Sequence, residues 1–231
     1  MKKIILAVLM FVFISCDSTP PTPVTDIDGN VYKTVKIGNQ VWMAENLKVT
    51  KFRDGSEIPN LEVGWLGNRA HTLNNAAPSA YVIYNDNSSN EADTYGYLYN
   101  WYAVNDSRNI APEGWHVPTF AEWTTLEEYL GGYKVAGGKM KAGNFKDTTN
   151  ESGFTALPGG FREGSKGNGY QYMGQSAYFW SKSEQSSDYD YLPSFRAYFA
   201  KLDRWGGDYI WKQDYDKKFG LSVRCVRDET N

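Results

Sequence analysis

The sequence predicts an α+β domain of twisted antiparallel sheets, with few helices and long irregular loops. Three observations lead there. Short segments of strand length alternate or run continuously apolar, and Gly, Asn and Asp clusters separate them. One stretch, Phe120 to Leu130, keeps a helical period with a clear start and stop. Hydrophobic residues make up 41% of the 231 positions and aromatic residues 16%, enough for a packed core rather than a disordered chain.

The N-terminus stands apart. Met1-Lys2-Lys3, the apolar run Ile4 to Ile14, and Ser15 read as a secretory signal peptide over residues 1–15. The run is shorter than the roughly 20 apolar residues a membrane-spanning helix needs. Phe13-Ile14-Ser15-Cys16 resembles a bacterial lipobox, so Cys16 is expected to carry a lipid and to become the mature terminus. Residues 16–23, with Pro20, Pro21 and Pro23, then form an extended tether. The domain proper is expected over 24–231. Its sole cysteine, Cys225, leaves no internal disulfide, so stability must come from a core that a domain of this size can build. Net charge is −3 without a basic run, which argues against nucleic acid as a partner.

Within the domain, Asp26 to Asn30 is a turn centred on Asp28-Gly29. Val31 to Ile37 and Gln40 to Met43 form a hairpin about Gly38-Asn39, with Val31, Val35 and Ile37 facing one way and Tyr32, Thr34 and Lys36 the other. Asp26 and Asp28 could suggest calcium, but their spacing is not that of an EF-hand, which favours turn duty. Glu45 and Asn46, half buried beside Trp42 and Met43, are expected to cap backbone groups or bridge strands; a calcium ion is the alternative. Pro59 to Thr94 reads as irregular, with a short strand near Tyr81 to Tyr84. Tyr95 to Val104 is apolar on nearly every position, so strand and helix stay undecided, and its buried hydroxyls and indole nitrogen need polar partners.

Thr119 and Glu122 make a capping box for the helix. Phe120, Trp123, Leu126 and Leu130 define its buried face, Trp123 is placed to fold back on Val117 or Pro118, and Gly131-Gly132 ends it. Strand-like pieces follow at Gly153 to Arg162, Ala177 to Ser181, Phe195 to Phe199 and Leu221 to Val226.

Several of these pieces fall into one pattern. Asp28-Gly29 with Tyr32, Ile37 to Leu47, Tyr95 to Trp101, Gly114 to Trp123, Gly153 to Arg162, Phe179-Trp180-Ser181 and Ser222 to Val226 resemble, in order, the Fibrobacter succinogenes major paralogous domain. That family occurs on bacterial lipoproteins and other exported proteins, and the resemblance implies a place in the cell envelope, at the outer membrane, without implying an activity. Val117-Pro118-Thr119 with Glu122-Trp123, and Val223-Arg224-Cys225, are similar to segments of formylglycine-generating enzymes. This second resemblance implies a C-type-lectin-like fold. The oxidase chemistry of those enzymes needs a reactive cysteine pair before the last strand, and Ser181 to Gly220 contains no cysteine. Cys225, inside an apolar strand, is expected to be inert.

Candidate chemistry is sparse. His116 could be a ligand or a base, but a lone histidine between Trp115 and Val117 reads better as structural, together with Pro118, Thr119, Glu122 and Trp123. His71 has no nameable partner. Glu127 and Glu128 diverge by about 100° on the helix and cannot act as a pair. Asp188, Asp190, Asp214 and Asp216 read as solvated loop acids, with calcium or sugar binding as the alternative. Aromatic residues crowd the predicted loops: Tyr170, Tyr172, Tyr189, Tyr191, Trp205, Tyr209 and Trp211, with Asp208 among them. They form either a recognition surface or cover for the core. The expected function is therefore a non-enzymatic, lipid-anchored envelope domain that binds an extracellular glycan or protein, with calcium as a possible cofactor. The rivals are an enzyme built around His116 and Glu122, and a structural component of the envelope.

Overall fold

A computed structural model describes residues 21–60, 79–84, 89–145, 148–164, 169–186 and 194–229. The signal peptide, Cys16 and most of the tether lie outside them, as do His71, Asp188 and Asp190.

The chain begins with two hairpins. Strands β1 (Val24–Thr25) and β2 (Val31–Tyr32) pair around a turn that Asp26 holds together. Its Oδ1 accepts from the amides of Asp28 and Asn30 at 3.0 and 2.9 Å, and its Oδ2 accepts from Asn30 Nδ2 at 2.9 Å and the Tyr32 hydroxyl at 2.6 Å. Asp28 takes the amide and hydroxyl of Thr50 and pairs with Lys51 at 3.3 Å. Asp26 thus holds the turn, and Asp28 ties it to residues 50 and 51. Strands β3 (Thr34–Ile37) and β4 (Gln40–Met43) meet across Gly38, whose φ of +61° suits the two-residue connection. The expected facing of Val31 is overturned: it is exposed, and Tyr32 is buried. Lys33 interrupts the strand between β2 and β3, so the alternation restarts there.

Tyr95 to Val104 contains both alternatives. Strands β5 (Tyr81–Val82) and β6 (Leu98–Tyr99) pair. Helix α1 (Ser89–Tyr95) precedes β6, and helix α2 (Trp101–Val104) follows it, capped by the Asn100 side chain. The buried polar tips find partners: Tyr99 Oη donates to the Val49 carbonyl at 2.7 Å, and Trp101 Nε1 to the Ser181 carbonyl at 3.0 Å.

Helix α3 (Phe120–Tyr129) carries the predicted capping box at Thr119 and Glu122. Gly131 and Gly132 follow with φ of +105° and +90°, and a short helix, α4 (Ala136–Met140), comes next. Trp123 does not settle on Val117 or Pro118. Its ring lies 4.9 Å from Trp42 of β4 and within 6 Å of Phe154 and Phe179, an aromatic cluster larger than the helix entry offers.

Two main sheets share the core. One has the order β3-β4-β13-β7, with β7 at Trp115–His116 and β13 at Val226–Arg227. The other contains β8 (Gly159–Arg162), β9 (Tyr170–Met173), β10 (Ser176–Glu184), β11 (Arg196–Asp203) and β12 (Ile210–Asp216), in the order β12-β11-β10-β8-β9. All neighbours are antiparallel except β8 and β10. The result is a sheet-rich α+β fold.

The expected strand at Leu221 to Val226 is regular only from Val226. Residues 221–225 instead run as a buried thread between the sheets. Leu221 bridges to Tyr99 and Ser222 to Phe179, while the carbonyls of Val223 and Cys225 accept from Leu47 and Met43 at 2.9 and 3.0 Å. Its backbone is satisfied, but by several neighbours in turn rather than by one ladder.

Candidate functional site

The strands β11 and β12 pair from Arg196–Asp216 to Leu202–Ile210, and the connection between them, residues 204–209, stands out from the sheet. Its backbone is fastened along its length. The Arg204 amide donates to the Gln175 carbonyl at 2.8 Å, and the Trp205 amide to Asp203 Oδ1 at 2.9 Å. The buried Lys141 ammonium donates to the Gly207 carbonyl, the Gly137 amide to the Asp208 carbonyl at 2.8 Å, and the Ile210 amide to the Tyr133 carbonyl at 3.0 Å.

Helix α4 lies directly beneath. A Cβ at Gly137 would sit 2.3 Å from the Tyr209 carbonyl oxygen, and one at Gly138 would sit 2.4 Å from Asp208 Oδ1. The two glycines are what allow the loop to rest on the helix.

On this fixed loop the Trp205 ring faces outward, and Tyr209 is partly buried. Trp205 is 73% exposed, with the Arg204 guanidinium 5.3 Å from its ring. Tyr209 and Trp211 stack at 5.3 Å with planes 26° apart, and Tyr133 continues the row 5.8 Å from Tyr209. Trp211 Nε1 lies 3.3 Å from where a Gly206 Cβ would stand, so the Trp205-Gly206 turn abuts the indole. Asp208 is exposed at the edge of the group. Trp205, Asp208, Tyr209 and Trp211 therefore come together, although Trp211 belongs to β12 and not to a loop. Tyr133 escapes the sequence reading. Its one signal is position, a tyrosine just past the glycine pair that ends a helix.

The other predicted aromatics do not join this row. Tyr170 and Tyr172 lie in strand β9, not in a loop, on the edge of the sheet opposite β12. Tyr170 donates to the Ile83 carbonyl at 3.0 Å and packs 4.9 Å from Tyr84, which is a structural role. Tyr172 is half exposed and stacks on Phe161. Tyr189 and Tyr191 lie outside the described residues. Asp214 and Asp216 are strand residues rather than loop acids: Asp214 pairs with Arg196, and Asp216 accepts from the Lys218 amide at 2.9 Å. Glu127 turns to β12 and pairs with Lys212 at 2.9 Å.

The histidine has a different surrounding. His116 Nε2 lies 2.6 Å from Glu122 Oε1 and Nδ1 lies 2.5 Å from Asp228 Oδ1. The other oxygen of Glu122 accepts from the Thr119 amide and hydroxyl at 2.7 and 2.8 Å. Glu122 thus serves cap and histidine at once, and Asp228, absent from the sequence reading, completes the set. The bond to Glu122 raises the His116 pKa, burial opposes it, and the bond to Asp228 adds to the rise. Burial pushes Glu122 up, but its bonds to His116 and Thr119 outweigh that and leave it below its ordinary value. With both ring nitrogens given to carboxylates, the His116 ring is a clamp between β7, the start of α3 and the C-terminal segment; neither nitrogen is turned to an open site. Trp115, which is buried, has its carbonyl held by Arg53, which binds the Ala111 and Pro112 carbonyls as well.

Among the described residues, no group of three or more His, Cys, Asp or Glu side chains gathers as a metal centre. Glu45 and Asn46 are committed within the chain, Glu45 accepting from the Lys33 amide at 2.7 Å and Asn46 bridging Tyr95 and Arg224. Cys225 is fully buried, which pushes its thiol pKa up and away from nucleophilic use. No helix among the described residues is long and apolar enough to cross a membrane.

Residues 35–227 match the family described as the Fibrobacter succinogenes major domain. No curated protein and no solved structure matches the chain.

Proposed function

The chain belongs to the Fibrobacter succinogenes major domain family, and from that premise we propose that it is an exported, lipid-anchored domain of the cell envelope that binds an extracellular glycan. The observation that carries this reading is Trp205, 73% exposed on a loop whose backbone is fixed at Arg204, Gly207, Asp208 and Ile210. A group of exposed rings marks an interaction surface, and a ring on a fixed backbone binds without a large ordering penalty. Tyr209 and Trp211, stacked with planes 26° apart, stand next to the Trp205-Gly206 turn, and Tyr133 lies beside Tyr209. Flat rings bordered by Arg204 and Asp208 suit a sugar, which presents an apolar ring face and a rim of hydroxyls. A protein ligand would be served better by a wider, closed apolar patch.

The binding is proposed to be non-enzymatic. The one histidine among the described residues has both nitrogens engaged by carboxylates, and the thiol is buried. Among the described residues no group of three acids gathers near the platform, and on this reading binding survives chelation.

A glycan array probed with the domain from Val24 onward, with and without chelator, tests the reading. Trp205→Ala should lower the affinity for the selected glycan about tenfold or more while leaving the melting temperature unchanged. A binding partner found only among proteins, or a Trp205→Ala variant that binds glycan as the wild type does, would count against it.

A further inference from the structure

The large exposed aliphatic side chains among the described residues are Ile27, Val31 and Val135. Two of these three share one hairpin. Val31 is 63% exposed and stands opposite the exposed Thr25 in the β1–β2 pair, and Ile27, 46% exposed, is in the turn between the strands. The opposite face of the hairpin carries Tyr32 and Val24, packed on the core. The hairpin is thus amphipathic, with an apolar outer side that is left exposed among the described residues.

The N-terminal residues 1–20 join the described domain here. Thr34 Oγ1 donates to the carbonyls of Pro21 and Thr22 at 2.9 and 3.0 Å, so the tether reaches the domain beside β3 and leads straight into β1. Cys16 precedes Pro21 by few residues, a reach of about 18 Å at most. Thr25 follows Pro21 by about 14 Å at most, and Val31 is paired with it. A lipid on Cys16 therefore holds the hairpin within reach of the bilayer surface, whichever way the tether runs. Turn chemistry at this site is already internal, since Asp26 is buried and Asp28 is paired with Lys51, so neither acid opposes approach to lipid.

We propose that the outer side of the β1–β2 hairpin, Ile27 and Val31 above all, is a second membrane contact that enters the bilayer interface next to the anchor. It rests on the lipid-anchor reading. The contact gives the domain a fixed stance on the membrane, which a lipid on a proline-rich tether alone does not.

The test uses the full lipidated chain in phosphatidylcholine–phosphatidylglycerol vesicles that carry a doxyl-labelled acyl chain. A fluorophore is attached at Ile27→Cys, Val31→Cys or Gln213→Cys; Cys225 is fully buried and takes no label. Labels at 27 and 31 should be quenched at least about twofold more than the label at 213, which is exposed on β12. Equal quenching at the three positions would overturn the contact while leaving the anchor intact. A wild-type chain that does not float with the vesicles would overturn the anchor and the contact together, whereas flotation lost only in Cys16→Ala supports the premise.

Discussion

Arg224 donates from Nε and Nη2 to one oxygen, Oδ1 of Asn46, at 3.0 and 2.6 Å across 178 positions of sequence. Nη1 reaches the Met43 carbonyl at 3.3 Å and also the Phe154 carbonyl, and the guanidinium lies 4.5 Å from the Phe154 ring. The side chain is 1% exposed. Burial lowers its pKa to about 9, which still leaves it protonated at neutral pH. A planar fork is satisfied here by amide and carbonyl oxygens and by aromatic faces; among the described residues no carboxylate bonds to it, and Glu45 acts on it only through space.

Arg224→Met should therefore lower the unfolding free energy by about 3 kcal/mol or more, because it strands several buried acceptors. Arg224→Lys should recover less than half of that, since an ammonium cannot reproduce the fork. Urea denaturation of the three proteins measures both effects. A lysine variant within about 1 kcal/mol of wild type would show that charge alone suffices.

How much of this was legible beforehand depends on distance along the chain. The start of α3 is legible because Thr119 and Glu122 are neighbours, and the hairpin at Gly38 for the same reason. Asn46 is readable as a bridging residue, but nothing local names Arg224 as its partner. The thread at 221–225 looks like a strand because its residues are buried; that its hydrogen bonds go to Tyr99, Tyr178, Trp180, Leu47 and Met43 is a matter of tertiary arrangement. The aromatic platform is half legible. Trp205, Tyr209 and Trp211 are close in sequence, whereas Tyr133 joins them only because the Gly137-Gly138 step lets the loop lie on α4. Tyr170 and Tyr172 share the composition of the platform but belong to another strand.

The His116 clamp gives a pH dependence whose sign follows from its two shifts. The folded pKa of His116 is raised, so its contribution is complete below the unfolded value of 6.5 and is lost as pH rises through the folded one. The folded pKa of Glu122 is depressed, so its contribution is present above 4.5 and is lost as pH falls through the folded one. The stability difference between wild type and His116→Gln should be largest between those two values and shrink on both sides. Denaturant midpoints across pH 4 to 9 measure it, and an NMR titration should place His116 above 6.5. A difference that grows toward alkaline pH would contradict the clamp.

The exposed and buried tryptophans should separate cleanly. Trp123, 1% exposed and packed on Trp42, Phe154 and Phe179, is expected to cost about 3–5 kcal/mol when replaced by alanine. Trp205→Ala should stay within about 0.5 kcal/mol of wild type. Calorimetry on the two variants distinguishes a surface held out for a ligand from one that covers the core. A large loss at Trp205 would place that ring in the fold rather than in recognition.

The geometry of the platform depends on a step where no side chain fits. Alanine at Gly137 would place its Cβ 2.3 Å from the Tyr209 carbonyl oxygen, and alanine at Gly138 would meet Asp208 Oδ1 at 2.4 Å. The first obstacle is backbone and cannot rotate away; the second is a side-chain oxygen at the loop's exposed edge and can. Gly137→Ala should thus lift the loop, break the bond from its own amide to the Asp208 carbonyl, and cost about 1–3 kcal/mol. Gly138→Ala should cost less than half as much. Because Tyr209 and Trp211 are then no longer held in register, Gly137→Ala should also reduce glycan affinity about tenfold, even though it touches none of the four rings' outer faces. Hydrogen exchange at the Gly137 and Ile210 amides, which donate to the Asp208 and Tyr133 carbonyls, reports the lift directly. Protection unchanged at both amides, together with unchanged affinity, would mean that the loop keeps its shape without help from α4.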